Sequence, residues 1–116
     1  MLKVRRRLTE RHGVRWVIGR WTFDAAESAL LQAGRVRELT PMEARLLRRL
    51  CLAAETDPTA GIPARWLARE LNTGEAAIRM HIANLRRKLE ADPNQPRFLM
   101  HDASGYHLRL GPTASP

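Results

Sequence analysis

The side chains best placed to do chemistry gather in one stretch, Glu75 to Glu90. Arg79, Arg86, Arg87 and Lys88 supply positive charge there, Asn84 offers both a donor and an acceptor, and Met80 and Ala83 are apolar. Ile78, Ile82, Leu85 and Leu89 recur at i, i+4, i+7 and i+11, the spacing of one narrow helical stripe. With that stripe turned inward, Ala76, Arg79, Met80, Ala83, Asn84 and Arg87 share the opposite face. A helix this slim fits the major groove of B-DNA, where Asn can pair with adenine at two points and basic side chains neutralise phosphates. The chemistry suggested is recognition by hydrogen bonds and charge. Plainer alternatives stand beside it: Arg86-Arg87-Lys88 as a solvated charge run, and Ala76, Met80 and Ala83 as simple helix formers. His81 flanks the apolar stripe and reads as a packing residue or a phosphate contact.

The remaining reactive groups point away from catalysis. His12, His81, His101 and His107 lack the spacing of metal ligands, and the single Cys51 cannot form an internal disulfide. Cys51 lies on the apolar side of Leu46-Leu47-Arg48-Arg49-Leu50-Cys51, the setting of a buried core thiol. No Ser/His/Asp or Cys/His set, carboxylate pair or Gly-rich phosphate loop is visible, so no enzyme activity, cofactor or metal is expected. Twenty Lys and Arg against 12 Asp and Glu give a net charge of +8 and a pI near 11.3, the electrostatic footprint of a nucleic-acid binder.

The elements that must position these residues follow from length and pattern. At 116 residues, 44% of them hydrophobic, the chain has material for one domain with its own core. No apolar run reaches the ~18 residues of a membrane span, and no apolar segment follows Lys3 and Arg5-Arg6-Arg7 as in a signal peptide. A cytoplasmic protein without a membrane partner is expected. Residues 1–13 read as a basic tail or linker, 14–110 as the domain, and 111–116 as a disordered small-residue tail.

Within the domain, residues 14–18, 21–23, 29–31 and 35–39 are short strand-like pieces separated by Gly19, Asp24 and Ala33-Gly34, which predicts a four-stranded antiparallel meander. Thr40-Pro41-Met42-Glu43 is a capping-box helix start, and the apolar stripe behind it predicts a helix to about Ala54. Pro63 opens a second, short helix to Leu71, with Trp66, Leu67 and Leu71 facing inward. After the tight turn Asn72-Thr73-Gly74, a third helix runs from Glu75 to about Ala91, before Asp92-Pro93. Residues 98–101 and 106–110 alternate around Asp102-Ala103-Ser104-Gly105, a hairpin turn. Short helix, tight turn, long helix and hairpin make a winged helix-turn-helix. The fold class is therefore α+β: a four-stranded N-terminal meander, three helices and a C-terminal β-hairpin wing.

Several of these stretches resemble the OmpR/PhoB-type effector domains of bacterial response regulators. Leu39-Thr40-Pro41-Met42-Glu43-Ala44-Arg45-Leu46-Leu47 is similar to that family's LTPxExxLL helix start, and residues 78–90, IRMHIANLRRKLE, to its recognition helix. Asp92-Pro93-Asn94-Gln95-Pro96-Arg97-Phe98-Leu99 and Gly105-Tyr106-His107-Leu108 match its post-helix loop and wing strand. The resemblance covers residues 14 to 110. It implies double-stranded DNA as partner, RNA polymerase as a further one, and head-to-tail pairing of two copies on DNA. By motif it carries over Arg86, Arg87 and His81 as DNA contacts. The chain departs from the family at Ala76 and Asn84, where arginines are usual, at Asp102, where the wing has an arginine, and in the short turn at Asn72-Thr73-Gly74. The turn also reads like the compact helix-turn-helix of the LuxR type, though the flanking strands oppose that for the whole domain. Leu2-Lys3-Val4-Arg5-Arg6-Arg7-Leu8 resembles the last helix of a receiver domain leading into its linker.

The reading is sequence-specific duplex DNA binding in transcription regulation. Arg79, Met80, Ala83 and Asn84 would lie near base edges, with Arg86, Arg87 and Lys88 at phosphates. The alternative, motivated by Ala76, Asn84 and Asp102, is a winged-helix module that has lost DNA binding and engages a protein.

Overall fold

A computed structural model describes residues 15–112, and the basic N-terminal segment and the last four residues lie outside it. Four short strands, β1 (Arg15–Gly19), β2 (Trp21–Asp24), β3 (Ala29–Gln32) and β4 (Arg35–Glu38), form the antiparallel meander that the strand-like pieces and the turns between them predict. In β1 and β2 alternation decides which side of it is dry. Trp16, Ile18, Trp21, Phe23 and Leu30 are buried, while Val17 and Val36 stay exposed on the outer face. The N-terminal sheet has a fifth strand. β7 (Gly111–Pro112) pairs in parallel with β1, Ile18 opposite Gly111 and Gly19 opposite Pro112. Residues assigned above to the C-terminal tail therefore close the edge of the sheet. A dipeptide with no alternation carries no strand signal of its own.

Three helices follow: α1 (Pro41–Thr56), α2 (Ala64–Glu70) and α3 (Glu75–Leu89). The capping box of α1 forms as its sequence requires. Thr40 Oγ1 accepts from the Glu43 amide at 3.1 Å, and Glu43 Oε1 accepts from the Thr40 amide at 3.0 Å. The turn after α2 is a Schellman motif, with Asn72 at φ 57°, Thr73 N–H donating to Ala68 O and Asn72 N–H to Arg69 O. It releases the chain at Gly74, the N-cap of α3.

Leu46, Leu47 and Leu50 of α1, Leu67 of α2 and Ile78, Ile82 and Leu85 of α3 meet in one core with the inner sheet face. Cys51 belongs to this core, and burial pushes the pKa of its thiol up, against thiolate formation. Trp66 is a correction: it is 45% exposed, with the Arg69 guanidinium 5.0 Å above its ring. A seven-residue helix buries only one narrow stripe, and Leu67 and Ala68 occupy it.

The hairpin of β5 (Leu99–Asp102) and β6 (Gly105–Leu108) completes the fold. It is fastened to the segment preceding α2, because Ile62 and Tyr106 exchange two backbone hydrogen bonds of 2.8 and 2.9 Å. That approach requires glycine at 105: a Cβ there would fall 2.3 Å from the Ile62 carbonyl carbon, and φ is +122°.

Candidate nucleic-acid interface

The candidate interface is the outward crest of α3, the hairpin beside it and the N-terminal end of α2. The predicted stripe Ile78, Ile82, Leu85 and Leu89 is buried, which turns Ala76, Arg79, Met80, Ala83 and Arg87 to the surface. Met80 is 54% exposed. At about 100° per residue, Ala76, Met80, Ala83 and Arg87 share one strip of the crest. Arg79 lies on the flank toward the hairpin, paired with Glu75 one turn back at 3.3 Å. Asn84 lies on the other flank, half-buried, its Oδ1 accepting from the Arg87 guanidinium.

The predicted site residues separate into two groups. Arg79, Met80, Ala83, Asn84 and Arg87 share the crest and its flanks. Of the other three, Arg86 and Lys88 are occupied inside the fold and His81 is half-buried. Arg86 donates from Nε and Nη2 to the carbonyl of Leu99, at 3.1 and 2.9 Å, and so ties the first wing strand to α3. Lys88 Nζ donates to Glu43 Oε1 at 2.6 Å and to the Glu38 carbonyl at 3.1 Å. His81 sits half-buried between Met80 and Ile82, its Nδ1 enclosed and without a hydrogen-bond partner. The run Arg86-Arg87-Lys88 therefore places only Arg87 on the open surface. Successive residues of a helix point about 100° apart, so three adjacent cations cannot share one face.

Glu43 shows how firmly Lys88 is held. Burial opposes ionisation of its carboxyl, but the Lys88 hydrogen bond, the Thr40 amide and the nearby charges of Lys88 and His81 outweigh it. The result is a pKa below the ordinary carboxylate range. The same contact joins the start of α1 to the end of α3. Arg37 of β4 adds to the joint by donating to the Lys88 carbonyl at 2.6 Å while its guanidinium lies 4.8 Å above Trp21.

Glu90 is a residue whose role the sequence reading missed. It is buried, and its carboxylate accepts from the amides of Arg97, Phe98 and Leu99 at 2.7, 3.0 and 2.8 Å. Glu90 and Arg86 thus set the angle at which the hairpin leaves the helix. A glutamate closing an otherwise basic helix end, where the dipole disfavours it, is the available signal in the sequence.

The hairpin tip carries the carboxylate of Asp102. Asp102 Oδ1 accepts from the amide and hydroxyl of Ser104, at 2.8 and 2.6 Å, and Oδ2 lies 3.0 Å from His107 Nε2. The Ser104 hydrogen bonds, with His107 beside them, hold the Asp102 carboxyl below its ordinary range. His101 stacks on Tyr106 at 4.3 Å. Between tip and helix lies a cleft of about 310 Å³ whose lining includes Arg65, Glu75, Arg79, His101 and Asp102. Its charge is mixed, with two guanidiniums against two carboxylates.

Among the described residues no helix is long and apolar enough to cross a membrane, and no three His, Cys, Asp or Glu side chains gather as a metal site. No protein-family model matches the chain, and no curated protein matches it in sequence. Among solved structures it is similar to the DNA-binding domain of E. coli CadC. The two share 19% sequence identity and a TM-score of 0.65, over 81% of this chain and 90% of that one. The sheet, the three helices and the hairpin wing of this chain are those of a winged-helix domain.

Proposed function

We propose that this chain binds double-stranded DNA as the output domain of a transcription regulator of the OmpR/PhoB type. The observation that carries the reading is the crest of α3. It is a slim, exposed helix face bearing Arg79 and Arg87, held at a fixed angle to a hairpin by Arg86 and Glu90. α3 would lie in the major groove with the hairpin beside the minor groove, and Arg79 and Arg87 would serve phosphates or base edges. The net charge of +8 and the likeness to a DNA-binding domain support the same reading. Head-to-tail pairing on direct repeats and contact with RNA polymerase belong to it as family expectations.

The test is a fluorescence-anisotropy titration of a randomised duplex pool at several salt concentrations, with an Arg79→Ala/Arg87→Ala variant alongside. Binding should weaken linearly in log salt, and losing two phosphate contacts should flatten the slope by nearly 2. A wild type that ignores duplex at low salt refutes the proposal. A protein-binding module would then be the better account. Asp102 at the wing tip and the exposed Val17 and Val36 of the outer sheet face favour that second reading.

A further inference from the structure

The crest of α3 is poor in free hydrogen-bonding groups for a surface that would face base edges. Ala76, Met80 and Ala83 are exposed along its centre, within roughly 60° of arc. The polar side chains around them each have a partner within the chain, while the exposed Arg79 and Arg87 keep further N–H donors free for phosphates. Arg79 pairs with Glu75, Arg87 with Asn84, Arg86 with the Leu99 carbonyl and Lys88 with Glu43. The centre of the crest, from Ala76 to Ala83, is a strip of methyl and thioether groups about 10 Å long. That is about three base-pair steps at 3.4 Å each.

Pressed against amino and carbonyl groups, such a strip would strip water from them and return no hydrogen bond, which is unfavourable. The major groove offers one apolar feature, the C5-methyl group of thymine, and small apolar side chains are its natural contacts. Resting on the duplex-binding reading above, we infer that α3 selects its site by packing Ala76, Met80 and Ala83 against thymine methyl groups, so that the preferred sequence is a short run of A·T pairs with thymines turned toward the crest. Met80 is the central contact, because its long flexible thioether can follow the uneven floor of the groove. The competing arrangement has Arg79 or Arg87 leaving its partner to grip guanine O6 and N7. Exposed pairs of this kind are weak, so the experiment must separate the two.

Duplexes enriched from the randomised pool are resynthesised in two forms. One carries deoxyuridine for thymidine, which removes only the methyl, and the other carries 7-deazaguanine for guanine, which removes the N7 acceptor. The full chain is titrated against each by anisotropy. Each buried methyl lost should weaken binding about fourfold, 7-deazaguanine should have no effect, and Met80→Ala should erase most of the uridine penalty. Met80 is exposed, so that variant keeps the fold. Equal affinity for the thymidine and uridine duplexes overturns the inference while leaving duplex binding intact. So does a loss confined to the 7-deazaguanine form. Failure to enrich or bind any duplex at low salt removes both readings.

Discussion

Replacing Arg86 and Arg87 separately by alanine should produce two different proteins, although the residues are neighbours in a basic run. Arg86 donates two charge-assisted hydrogen bonds to one partly buried carbonyl, at 3.1 and 2.9 Å. Hydrogen bonds to charged groups contribute about 1.5–3 kcal/mol. Both bonds end on the same oxygen, so Arg86→Ala should cost about 2 kcal/mol rather than twice that. For a domain of about 100 residues this lowers Tm by roughly 8–16 °C. Arg87 is exposed and its partner Asn84 lies one turn back on the same helix, so Arg87→Ala should stay within about 0.5 kcal/mol of wild type. On duplex DNA the order reverses. Arg87→Ala should reduce the slope of log affinity against log salt by about 0.9, while Arg86→Ala should keep the wild-type slope. Circular-dichroism melting and anisotropy titrations on the same preparations measure both quantities. An Arg86→Ala protein that melts like wild type but loses salt dependence would refute the reasoning, and Arg86 would return to the interface.

Three further outcomes follow from contacts within the fold. Glu43 has a lower pKa in the native state than the 4.5 of an unperturbed chain. Its ionised form therefore adds stability in full above that value and loses it as acid carries the group through its native pKa. Chemical denaturation from pH 7 to pH 3 should show that acid loss in wild type and a flatter curve in Glu43→Gln. Gly105→Ala forces a Cβ to within 2.3 Å of the Ile62 carbonyl carbon at φ +122°, which should cost about 3 kcal/mol; equilibrium unfolding in urea checks it. Cys51 is buried with its thiol pushed up, so iodoacetamide should modify it only at the rate of unfolding, as mass spectrometry in rising denaturant will report.

The elements of this domain were legible because local physics specifies them. The capping box at Thr40 and Glu43, the stop at Asn72-Thr73-Gly74, the spacing of Ile78, Ile82, Leu85 and Leu89, and the turn residues that punctuate the first four strands are all settled within a few residues. Each is a matter of backbone hydrogen bonds or of which side of one element is apolar. Periodicity states that a side chain points away from the core stripe, and it does not state what lies opposite. The partners of the polar residues were therefore the part withheld.

Arg86 meets a carbonyl 13 residues away, and Lys88 meets a carboxylate 45 residues away. The sequence by itself determined that a winged helix would form and which face of its third helix would be bare. Only the tertiary structure decided that two of three adjacent cations serve the fold, that Trp66 stays outside, and that Gly111 and Pro112 close the sheet. Those outcomes depend on which distant backbone groups are brought within hydrogen-bonding reach, and such contacts come into being only when the core is packed.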